Sequence, residues 1–208
     1  MGISLSLYDF FAHLVPGGVF LAAFLYAFAE AWLRSPEFAQ LSTLPLMGIA
    51  LISYVLGYVV DPIGNRWYRF FRRNIPLYGI SAQAAKDLCQ LYPGIRIEVQ
   101  AMGWYVLLAY IKRRNLPMAQ EIEQLNVTHI MLRGLSLGLL LFSVVFCGKA
   151  MVGTRTLPYI LLSLLSMGMS YVLIQEAIKF RIWFYKSIYQ STLALTLKPG
   201  QLPVTYSS

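Results

Sequence analysis

A chain of 208 residues could fold as one ordinary domain, but 58% of this one is hydrophobic and only 12% is charged, roughly half the charged share of a soluble globule. Mean hydropathy is +0.59 and the formal charge is +8 at pH 7. With two cysteines and no low-complexity tract, the composition excludes a disulfide-stapled scaffold, collagen, a coiled coil and intrinsic disorder. What remains is an all-α integral membrane protein.

A membrane-crossing helix needs ~20 mostly apolar residues, because helical rise is ~1.5 Å per residue and the hydrocarbon layer is ~30 Å thick. The chain begins with a short interfacial helix on which Asp9 and His13 are four residues apart and can share a face. A carboxylate beside an imidazole makes a proton relay or half of a metal site, although a structural pair or interfacial cap is the plainer reading. The first span covers about residues 16–33, with Pro16 in its first turn, Glu30 one turn from its outer end and Trp32 at the far interface. The first 33 residues contain no Lys or Arg to form the basic region of a cleavable leader, so this span is expected to be retained. The second span covers about residues 44–60 and carries Ser53 and Gly57 as a small-xxx-small pair.

Residues 61–128 are too polar for lipid and read as a helical cytoplasmic segment. It opens on a turn, Asp61-Pro62-Ile63-Gly64. Next come Trp67, Tyr68, Phe70 and Phe71 interleaved with Arg66, Arg69, Arg72 and Arg73, an interfacial pattern of rings at headgroup level and guanidinium groups on phosphate. Ser81 caps a helix that runs to Leu91 and ends at Tyr92-Pro93-Gly94. A second helix, about residues 95–113, brings Lys112, Arg113 and Arg114 to its end and stops at Asn115, ahead of Pro117. Pro117 starts a helix that continues without a break into the third span, about residues 130–151.

Arg133 lies near the inner start of that span, either as a counter-ion for Glu176 or Asp61 or snorkelling to phosphate, the default for a long cation at this depth. Gly134 and Gly138 form a G-x-x-x-G pattern that serves packing within the bundle or between copies. The fourth span covers about residues 157–178, with Ser166 and Ser170 as another small pair and Glu176 one turn from its inner end. Residues 179–208 mix basic and aromatic side chains in an amphipathic extension near the membrane surface, then a tail.

Fourteen of the seventeen Lys and Arg fall on the side holding the central segment and the C-terminus. The positive-inside bias therefore places both termini in the cytoplasm. The basic excess follows from this topology and from anionic headgroups rather than from nucleic acid. No H-E-x-x-H, Walker loop, G-x-S-x-G or C-x-x-C motif is present, so the expectation is a non-enzymatic protein with no cofactor and no metal.

The runs YDFFAHLVPG, from Tyr8 to Gly17, and EIEQLNVTHIMLRG, from Glu121 to Gly134, resemble uncharacterised prokaryotic four-span membrane proteins, some encoded beside phage-defence and CRISPR genes. The resemblance implies a small inner-membrane accessory or effector whose cytoplasmic part senses a partner while its spans form a pore or an anchor. The order of the segments is also similar to that of stator-type proton-channel subunits, in topology alone. The leading expectation is a homo-oligomer forming a regulated pore, its ion path lined by Glu30, Glu176, Asp9 or His13. The alternative is an anchor that recruits a soluble partner through Arg66, Arg69, Arg72, Arg73, Lys112, Arg113 and Arg114.

Overall fold

The computed structural model describes residues 7–40, 42–72, 103–153 and 156–196, and every regular element among them is a helix. In chain order these are α1 (Leu7–Phe28), α2 (Glu30–Leu33), α3 (Pro36–Ala39), α4 (Thr43–Arg72), α5 (Trp104–Arg114), α6 (Leu116–Val152) and α7 (Thr156–Thr196). Four of them are long and apolar enough to cross a membrane, over Phe10–Phe28, Thr43–Phe71, Leu116–Val152 and Thr156–Leu195. The expectations for Ser81, residues 95–102, Arg73 and the tail beyond Thr196 lie outside the described residues, as do the side chains of Asp9 and Arg72.

The chain divides into two compact units. The first is Met1–Asn74 with Val127–Lys179, and the second is Ile75–Asn126 with Phe180–Ser208.

In the first unit, α1 and α4 lie backbone to backbone. A β-carbon on Gly17 would collide with the carbonyl oxygen of Ser53, and one on Gly57 with that of His13. Ser53 and Gly57 are therefore used inside the chain, and so is the G-x-x-x-G pattern. A β-carbon on Gly134 would lie 2.7 Å from Cβ of Pro16, and one on Gly138 would lie 2.7 Å from Cγ1 of Val19. Close approach of this kind is how helices associate in lipid, where apolar side chains gain nothing by leaving one apolar medium for another.

Two prolines are placed differently from the sequence reading. Pro16 is inside α1 rather than in a first turn, and Pro62 is inside α4, which runs through Asp61 to Gly64 with no turn. An interior proline costs a helix ~3 kcal/mol, because it removes one hydrogen bond and crowds the carbonyl four residues back. Neighbouring helices offset that cost. Here consecutive residues of α6 meet both sites: Gly134 packs on Pro16, while Arg133 holds Asp61 and Asn65 on either side of Pro62. The first span also ends earlier than residue 33. Its helix stops at Phe28, Ala29 leaves helical geometry at φ −131° and ψ 32°, and Glu30 starts the separate α2.

The second unit packs an apolar core. Leu107 and Ile111 of α5, Ala119 and Ile122 of α6, and Phe184 and Ile188 of α7 are buried together. Asn115 separates α5 from α6 and serves both. Its backbone N–H donates to Ile111 O at the end of one helix, and its Oδ1 accepts the Met118 N–H at 3.2 Å at the start of the next. The helix that starts there is unbroken to Val152. Residues 179–196 form the last part of α7. They extend α7 without interruption, and their apolar face is taken by this protein core.

Candidate functional site

The most unusual chemistry is in the first unit, where an arginine is buried on a membrane-length helix. Arg133 is 7% exposed. Its Nη2 bonds the Asp61 carboxylate and its Nη1 donates to Asn65 Oδ1 at 3.2 Å. Gly64, between these two acceptors, lies against the arginine stem; a β-carbon there would make ordinary contact with Arg133 Cγ at 3.6 Å. The arginine does not snorkel, and Glu176 is not its partner. A lone arginine on a membrane-length helix is costly to bury, and a half-buried carboxylate and an amide oxygen offset that cost here.

Three polar rungs join α6 to α7 in the same unit. Each is seven residues from the last on both helices. His129 Nδ1 lies 2.8 Å from Ala177 O, which can only accept, so the ring proton is on Nδ1. Ser136 Oγ donates to Ser170 O at 2.8 Å, and Ser170 Oγ returns a bond to Ser136 O at 2.7 Å. Ser163 Oγ donates to Ser143 O at 2.9 Å. Ser136 Oγ also accepts the Trp67 indole N–H at 3.2 Å, which ties α4 to the middle rung. Tyr68, on α4, meets His129 edge to face at 4.8 Å between ring centroids. The sequence reading missed this ladder, although polar residues at 129, 136 and 143 recur with the period of a helix seam. Each such bond contributes about 0.6 kcal/mol in a membrane bundle, so the ladder sets register more than it adds stability.

The other residues singled out from the sequence are dispersed. Glu30 pairs with Lys149 and with Arg34, and the Lys149 ammonium beside it holds its carboxyl below the usual range, with Arg34 adding to the effect. Lys149 also lies 4.4 Å from the centroid of the Tyr26 ring. Glu176 pairs with Lys179 at 2.6 Å. Lys149 and His129, the neighbours of these two sites on α6, are twenty residues apart, about 30 Å along a helix. The two glutamates therefore belong to opposite ends of the unit and do not share a site. His13 stacks on Tyr58 at 3.8 Å between centroids, and Tyr58 Oη accepts a bond from Tyr54 Oη at 3.3 Å.

The exposed basic residues belong to both units. Arg66 and Arg69 are exposed on α4 in the first unit, and Lys112, Arg113 and Arg114 are exposed at the end of α5 in the second. In the second unit Lys112 pairs with Glu123 at 3.0 Å, and the Arg114 guanidinium lies 5.7 Å from the centroid of Tyr110. Arg181, also missed from sequence, is a structural cation of that unit. It donates to Asn126 Oδ1 at 2.6 Å and to Tyr185 Oη at 2.9 Å, and it packs on Trp104, Phe184 and Tyr185. Among the described residues, no three His, Cys, Asp or Glu side chains are grouped to hold a metal ion.

Comparison with protein-family models, with curated proteins and with solved structures gives no match to this chain.

Proposed function

We propose that this protein is a non-enzymatic membrane anchor that holds a soluble, acidic partner at the cytoplasmic face of an inner membrane. The observation that carries this reading is the internal matching of charge on the first unit. Glu30, Asp61 and Glu176 are each bound to a cation of the same chain, a use that suits an anchor better than an ion path. Support for recruitment comes from the second unit, which packs its own apolar core and leaves Lys112, Arg113 and Arg114 exposed at the end of one helix. Charge reversal of these three residues should abolish proximity labelling of the acidic partner in cells while leaving membrane insertion intact. Labelling that is unchanged would refute recruitment by this surface.

The pore reading keeps one observation in its favour, the charged Asp61–Arg133 pair on membrane-length helices, since such pairs often mark ion pathways. Liposomes containing the purified protein separate the two. The anchor reading expects no ion flux. Flux that falls in Asp61→Asn, Glu30→Gln or Glu176→Gln would replace it with a conducting assembly.

A further inference from the structure

The membrane-facing side of α4 changes character along its length. Ile52, Val55, Val59 and Ile63 form one exposed stripe, 52%, 53%, 63% and 53% accessible, and Phe70 continues it at 68%. Arg66 falls on this stripe between Ile63 and Phe70, and Arg69 lies beside it, both exposed. Read along the helix, the face is aliphatic, then basic, then aromatic. The aliphatic-to-basic step, from Val59 and Ile63 to Arg66 and Arg69, has the order of a phospholipid's acyl chain and headgroup phosphate. Helical side chains lean towards the N-terminus, so an arginine at 66 reaches back over the turn that holds Ile63.

Charge matching sharpens the point. Arg34, Arg133, Lys149 and Lys179 of the first unit each sit on a carboxylate of the chain. Arg66 and Arg69 have no acidic partner within ion-pair distance among the described residues, and both are exposed. We propose that this end of α4 binds an anionic phospholipid, with Arg66 and Arg69 on the headgroup phosphate and the acyl chains along Val59 and Ile63. The inference rests on the four long helices being membrane spans. It does not depend on partner recruitment, which is read at Lys112, Arg113 and Arg114.

Trp67 adjoins the site and is fixed to Ser136 through its indole N–H, which makes it a stationary reporter. In a chain whose other tryptophans are replaced by Phe, the protein is reconstituted in phosphatidylcholine bilayers. Quenching by brominated phosphatidylglycerol is then compared with quenching by brominated phosphatidylcholine. The expected result is a preference for the anionic lipid that falls about fivefold for each arginine lost in Arg66→Gln and Arg69→Gln. It should survive in Lys112→Gln/Arg113→Gln, which removes the same charge elsewhere. No preference in the parent chain, a preference untouched by the α4 variants, or equal loss in both double variants would each overturn the site. If the single-tryptophan chain does not fold, anionic lipid retained by the full chain in native mass spectrometry is counted with the same variants and the same outcomes.

Discussion

The helices α6 and α7 are held together in one way in the first unit and in another way in the second. In the first, they meet through His129 and two serine pairs, and α6 reaches α1 through glycine and α4 through an ion pair. In the second, Ile122 of α6 and Phe184 and Ile188 of α7 bury apolar surface around Leu107 and Ile111. The two kinds of packing are those that water and lipid would each favour. In water, burying a phenyl or butyl group is itself the driving force. Between lipid-facing helices that force is absent, and close backbone approach with directional polar bonds takes its place.

The strongest test of this contrast is Arg133→Leu. It strands the Asp61 carboxylate and is expected to cost about 3–5 kcal/mol of stability in detergent, most of it recovered in the double variant Arg133→Leu/Asp61→Leu. A double variant as unstable as the single one would mean that the pair is not the unit of stabilisation. Next is Phe184→Ala, for which a core truncation predicts a loss of about 3–5 kcal/mol, and less where the cavity collapses. Hydrogen exchange should speed up in α5 while α1 keeps its protection. Equal acceleration in both would erase the distinction between the two kinds of packing.

The smallest expected effect concerns pH. Lys149 and Arg34 lower the Glu30 pKa in the folded state, so the stabilisation is complete above the ordinary carboxylate range near 4.5 and is lost as pH falls through the lowered value. Melting temperature measured from pH 6 down to pH 3 should drop more in the parent chain than in Glu30→Gln; parallel curves would remove Glu30 from the account.

The four membrane-length helices were legible because each depends on local composition alone. The α5–α6 boundary was legible too, since Asn115 ahead of Pro117 carries both a stop and a cap in adjacent residues. Pro62 was not, because Asp-Pro-x-Gly favours a turn locally and what keeps the helix intact is Arg133, seventy-two positions from Asp61. The stretch after Lys179 was ambiguous for another reason. Aromatic and basic residues at helical spacing suit a lipid interface and a protein core equally well, and the core with α5 and α6 could not be read from this stretch alone. The polar ladder went unread because serine in an apolar helix counts as small before it counts as polar.

The two ion pairs anchored on α6 also give the first unit a built-in ruler. Arg133 with Asp61 and Lys149 with Glu30 are sixteen residues apart on one helix, or about 24 Å along its axis. That is shorter than an average hydrocarbon layer of ~30 Å. The two salt bridges thus hold α6 to its neighbours at points about 24 Å apart.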